Sequence, residues 1–128
     1  MIKEAYCSFD ICKLLKEKGF DEECICYYDN EGVFNSCTIK PPFINHEFSS
    51  YFTAPTQQMA MAWLREKRII ITMDYDEYEI SDNKKVGYGW NIQKIEKPTE
   101  YFKISIHVFD NYEETVEDAL KYCLTNLI

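Results

Sequence analysis

The sequence lacks most of the features that announce a chemistry. It has no glycine-rich phosphate loop: Gly87-Tyr88-Gly89 lies in a strand context and does not open a helix, so it cannot cradle a phosphate on a helix N-terminus. There is no Gly-x-Ser-x-Gly elbow and no His-Glu-x-x-His pair, so the motif-bearing hydrolases and zinc peptidases find no support. Only four Gly and four Pro occur, which argues against long flexible linkers and low-complexity segments. No apolar run approaches the ~18 residues that a membrane span requires. Met1-Ile2-Lys3-Glu4-Ala5 has one basic residue and no apolar h-region, so no signal peptide is expected and the expected compartment is the cytoplasm.

A basic footprint is missing as well. Twenty-two Asp and Glu face fourteen Lys and Arg, for a net charge of −8 and a pI near 4.7. Such a field repels nucleic acid and anionic membrane, and a nucleic-acid binder needs cations to neutralise phosphates. The densest basic groups, Lys13, Lys16 and Lys18, then Arg65, Lys67 and Arg68, are interleaved with Glu17 and Glu66, as on a solvated helix face.

What is present is a chain of 128 residues, 46% hydrophobic, with ten Tyr, eight Phe and two Trp. That length fits one domain with one core. The six cysteines, Cys7, Cys12, Cys24, Cys26, Cys37 and Cys123, include no Cys-x-x-Cys pair. Without a secretion signal they are expected as free thiols. A zinc site using Cys24, Cys26 and Cys37 is the sharper alternative, although the usual knuckle spacing is absent.

The periodicities predict an α+β domain in the order α-β-β-α-β-β-β-α, an antiparallel meander covered by helices on one face. Residues 1–39 read as a helix plus hairpin. Ser8 caps a helix of about Phe9–Lys18, Gly19 takes the left-handed position after it, and the strands are Cys24–Tyr28 and Val33–Ile39. Residues 40–53 read as an irregular connector. Residues 54–128 read as helix, three-stranded meander and helix. The first of these helices has Pro55 in its first turn, buries Met59, Ala60, Trp63 and Leu64, and turns Met61 away. The strands begin at Ile69-Ile70-Ile71, at Gly87 and at Tyr101, with a polar turn at 81–85. In the last strand Phe102, Ile104, Ile106 and Val108 are expected inside. Asp110 is expected to cap the final helix.

Leu14-Leu15-Lys16-Glu17-Lys18-Gly19-Phe20-Asp21-Glu22, Cys24, Tyr27-Tyr28-Asp29-Asn30-Glu31-Gly32, Ala54-Pro55-Thr56-Gln57 and Trp63-Leu64-Arg65-Glu66-Lys67 resemble a group of short uncharacterised proteins encoded by gut bacteria and their phages or mobile elements. The group carries no assigned activity. The resemblance therefore implies a setting, a small cytosolic accessory protein, and assigns no residue a role. Residues 55–127 also share the α-β-β-β-α order of double-stranded-RNA-binding domains, but the last helix here opens with Asp110-Asn111-Tyr112-Glu113-Glu114, where such domains place cations for phosphates.

Three groups of residues are candidates for function. Asp74 and Asp76 share one strand face, Glu77 and Glu79 the other; paired carboxylates can hold a cation or do acid–base work, and they equally serve as a solvated strand end that discourages aggregation. His46 and His107 would need a nearby cysteine for nucleophilic chemistry, and nothing local requires one. Tyr75, Asp76, Tyr78, Tyr88, Trp90 and Tyr101 can line the exposed side of the meander, since aromatics dominate interface energy; the competing role is to close the core or cover sheet edges. The favoured reading is a non-enzymatic protein-interaction module without cofactor, binding a protein partner or a second copy as a homodimer. No direct nucleic-acid contact and no membrane contact are expected. The alternatives are an acidic decoy occupying the DNA site of a nucleic-acid-binding protein, and a small metal- or thiol-dependent enzyme.

Overall fold

A computed structural model describes residues 2–36, 42–47, 49–97 and 102–128. It has the helices α1 (Phe9–Glu17), α2 (Gln57–Glu66) and α3 (Tyr112–Asn126), and the strands β1 (Cys26–Asp29), β2 (Phe34–Ser36), β3 (Tyr51–Thr53), β4 (Ile69–Ile80), β5 (Asn83–Lys94) and β6 (Phe102–Ile104). The strands form two antiparallel sheets, β2-β1-β3 and β4-β5-β6. The fold is therefore α+β, as the periodicities imply. Contacts cluster into two compact units, residues 1–60 with 121–128, and residues 61–120. No helix among the described residues is long and apolar enough to cross a membrane.

In the first unit α1 starts where Ser8 Oγ accepts from Ile11 N at 3.3 Å. It stops at Gly19, whose φ of 92° an L-residue with a Cβ adopts only at a cost. Gly19 N donates to Lys16 O at 3.2 Å and Phe20 N to Leu15 O at 2.9 Å, the paired bonds of a Schellman end. Phe20 folds back and is buried with Ile11, Cys12 and Leu15. The β1–β2 turn is tied by Asp29 Oδ1, which accepts from Glu31 N and Val33 N.

The connector expected over 40–53 is more ordered than its pattern suggested. Asn45–Glu47 form a 3-10 turn and Tyr51–Thr53 form β3, which pairs with β1 through Tyr27↔Thr53 and Asp29↔Tyr51. Buried Asn45 fastens it: its Nδ2 donates to Phe20 O and its Oδ1 accepts from Thr53 N, both at 2.9 Å. A three-residue strand is too short to show a period, so long-range bonds define it. The last residues of the second hairpin strand, 37–39, lie outside the described residues.

Helix α2 begins later than expected. Thr56 Oγ1 accepts from Met59 N at 3.1 Å and makes Thr56 the cap, so Pro55 precedes the helix. Its buried stripe also differs: Met59 is 37% exposed and Met61 5%. Buried Gln57 sets the line 57, 60, 61, 64, and that spacing turns Met59 outward.

In the second unit β4 and β5 pair from Ile69↔Lys94 to Ile80↔Asn83. The expected polar turn at 81–85 contracts to Ser81-Asp82, with φ of 47° and 67°, the signature of a type I′ hairpin turn. Met73, Trp90 and Ile92 share one sheet face by register, and there Trp90 Nε1 donates to Asp118 Oδ2 of α3 at 2.7 Å. Asn111, not Asp110, caps α3: its Oδ1 accepts from Glu114 N at 2.8 Å.

The last strand departs most from its alternation. Ile104 stands opposite Asn91 and is 55% exposed, and Ile106 is 82% exposed, so neither enters the core. Ile104 follows the register of Asn91, on the sheet face opposite buried Ile92, and Ile106 is turned out by a bulge. Ser105 N donates to Trp90 O, while Phe109 and Tyr88 exchange both backbone bonds at 2.8 Å. Ser105 to Phe109 is thus matched to the shorter stretch Trp90 to Tyr88, and the surplus residues are pushed outward. Ser105 Oγ replaces a ladder partner by accepting from Trp90 N at 3.1 Å. Gly87 faces this segment: a Cβ there would lie 2.5 Å from Phe109 O.

Candidate functional site

Among the described residues no third strand pairs with the outer half of the β4–β5 hairpin, residues 74–86. β6 reaches only Asn91–Gln93, and the Phe109 bridge stops at Tyr88. Asp74, Asp76, Asn83 and Lys85 lie exposed on one face of this arm, and Tyr75, Glu77, Glu79, Lys84 and Val86 on the other. A two-stranded ribbon wet on both faces gains little from apolar burial. Its local ties are a hydrogen bond from Asn91 Nδ2 to Asp74 Oδ2, an ion pair of Glu77 with Lys84 at 3.7 Å, and Tyr78 laid over Gly89, where an added Cβ would sit 2.9 Å from the phenol oxygen. Burial, and then the carboxylates of Asp74 and Asp76, push the Tyr78 phenol pKa upward.

The arm is acidic. Asp74, Asp76, Glu77, Glu79 and Asp82 are set against Lys84 and Lys85. Lys85 is further engaged, donating to Val108 O at 3.0 Å and lying 3.9 Å from Asp110. The edge is selectively closed. Tyr88 gives both backbone groups to Phe109, so Tyr75–Tyr88 is a non-hydrogen-bonded pair and the N–H and C=O of Tyr75 face the outer edge of β4, which is free among the described residues. At the equivalent position two residues on, Glu77 N is taken by Asp76 Oδ1 at 2.7 Å.

The structure treats the sequence candidates unequally. Tyr75 is 64% exposed, and its ring meets Tyr88 at 4.9 Å; Asp76 lies beside it and is exposed. Tyr78 and Tyr88 are half-buried. Trp90 is 4% exposed, and its indole is committed to Asp118, so its ring does not belong to an exposed surface. Tyr101 lies outside the described residues. The expected tyrosine surface thus contracts to the arm and gains Tyr112, whose ring meets Tyr88 at 6.0 Å.

Two of the thiols, Cys24 and Cys123, offer little reactivity. Burial pushes Cys123 up to about 12. Burial, the larger influence, also pushes Cys24 up to about 11, against a lowering contact with Thr53. Neither is a thiolate at neutral pH. Among the described residues no three His, Cys, Asp or Glu side chains converge on a metal position, and Cys37 lies outside them.

A second feature escaped the sequence reading. In the first unit a cleft of about 270 Å³ is lined by Lys16, Gly19, Phe20, Asp21, Asn45 and His46. Asp21 holds His46 twice, Oδ1 accepting from the backbone N at 3.0 Å and Oδ2 meeting Nδ1 at 2.5 Å. Desolvation raises the Asp21 pKa, but the bonds and charge of His46 outweigh it and leave the carboxyl below its ordinary value. A carboxylate-oriented imidazole can act as a base. Lys16 Nζ, whose pKa is lowered by burial, donates to Tyr51 O at 2.6 Å. The dyad joins residues 25 positions apart, so no local motif could signal it. No protein-family model, no curated protein and no solved structure matches the chain.

Proposed function

We propose that the protein is a non-catalytic interaction module, and that its β4–β5 arm binds a basic segment of another protein. The observation that carries this reading is an acidic, tyrosine-bearing ribbon exposed on both faces. Such a ribbon contributes little to its own fold and presents aromatic anchors beside carboxylates. Its acids steer a cationic partner and repel an anionic one. A second copy docking arm to arm would bring like charges together, so the homodimer is the weaker form of the reading. A decoy for a nucleic-acid site is also weaker: Asp74 and Asp76 point to one face and Glu77 and Glu79 to the other, leaving no single row of charges. The proposal includes a cytoplasmic setting, and the resemblance to the gut-bacterial and phage-borne group suggests an accessory protein.

Site-specific photo-cross-linking tests it. A cross-linker at Val86 should yield a discrete adduct with a basic protein, lost when Asp76→Asn, Glu77→Gln and Glu79→Gln are combined. A cross-linker at Glu31, in the first unit, should not yield it. Equal adducts from both positions, or adducts indifferent to the neutralised arm, would count against the proposal.

A further inference from the structure

Tyr75, Tyr88 and Tyr112 form a row, with ring centroids 4.9 and 6.0 Å apart and interplanar angles of 61° and 85°. Each contact is edge to face, the arrangement that aligns the positive rim of one ring with the negative face of the next. Tyr75 ends the row and stays mostly in solvent. Glu77 follows on the same strand face, about 6.8 Å along β4 by the strand rise. Its only ion-pair partner among the described residues is Lys84, at 3.7 Å with both side chains more than half exposed, and such a pair contributes little. The Tyr75 carbonyl, turned to the free edge, is a third acceptor. An aromatic ring, a carboxylate and an outward carbonyl in a row match a guanidinium, which stacks on π faces and forks onto carboxylates. An ammonium would gain the ring but lose the fork. A neutral urea group would lose the charge.

We propose that Tyr75, Tyr88 and Glu77 form a receptor for an arginine side chain of the partner, with Tyr112 positioning Tyr88. This rests on the arm being the partner-binding surface. The receptor sits on the stretch of β4 edge left open next to the Asp76-masked position, so an arginine is admitted beside Tyr75 while strand pairing cannot run on through Glu77.

The test uses three short lysine-bearing peptides, identical except for a central arginine, lysine or citrulline, titrated calorimetrically into the full chain. The arginine peptide should bind about tenfold more tightly than the citrulline peptide and about threefold more tightly than the lysine one. Tyr75→Ala should bring arginine down to the citrulline level, while Tyr75→Phe keeps the preference. Glu77→Gln should erase the arginine-over-lysine margin, and circular dichroism should show all three variants folded, as their exposed positions imply. Equal binding of the three peptides, or an unchanged arginine preference in Tyr75→Ala, overturns the receptor. If no peptide binds yet the Val86 cross-link to a basic protein persists, the receptor falls and the arm reading stands. If both are absent, both fall.

Discussion

Asp118 holds the one polar atom of the Trp90 indole, at 2.7 Å. A buried N–H that loses its acceptor keeps its full desolvation cost, about 1–3 kcal/mol. Asp118→Ala should therefore lower unfolding stability by about that amount, and Asp118→Asn, which still offers an oxygen, should lose less. Urea denaturation measures both, and an alanine variant as stable as the parent would show the indole to be satisfied otherwise. The same bond explains why Trp90 leaves the tyrosine surface. Tryptophan is the residue type most expected at an interface, but here the alternation that pairs it with Met73 turns it onto the face that α3 covers. Tyr75, on the same face, lies farther out and is mostly exposed, joined to α3 through the Tyr88–Tyr112 ring contact. At this scale position along the hairpin decides between core and surface, and residue type does not.

The hairpin as an element is governed by its turn. Ser81 and Asp82 both have positive φ, a conformation in which serine is strained and for which Asn-Gly is the favoured pair. Ser81→Asn with Asp82→Gly should stabilise the closed arm by about 1 kcal/mol, slowing hydrogen exchange of the arm amides about fivefold with little change in global unfolding, because a two-stranded arm opens locally. Unchanged arm protection would mean that the turn does not limit opening. Elements with local chemistry were legible from the residues: Ser8 and Gly19 bracket α1, Gly32 and Asp29 mark the β1–β2 turn, and the order of the β4–β5–β6 meander follows from β-prone runs separated by short polar turns, although the alternation of β6 named the wrong inward residues in Ile104 and Ile106. Elements defined by distant bonds were not. β3 depends on Asn45 and on β1, the exposure of Ile104 depends on its register with Asn91 and that of Ile106 on a bulge set by Ser105 against Trp90, and the Asp21–His46 pair depends on the 3-10 turn meeting the end of α1. The α2 stripe misled because a glutamine is buried and a methionine is not. The arm itself was half legible: its acids and tyrosines were evident, but that β6 stops short of it was not.

At the scale of the whole chain the net charge of −8 acts as a field, and the arm is where that field meets exposed aromatic rings. Association of an acidic surface with a basic segment should be faster and tighter at low salt, because the screening length shrinks from about 30 Å at 0.01 M to about 8 Å at 0.15 M. The most direct test of the account compares the full chain with the chain carrying Asp76→Asn, Glu77→Gln and Glu79→Gln. Both are titrated with one arginine- and lysine-rich peptide at low and at physiological ionic strength. The account predicts that the parent binds, that its affinity falls as salt rises, and that the neutralised chain, equally folded, binds about tenfold more weakly at low salt. Equal affinity of the two chains at low salt would contradict it.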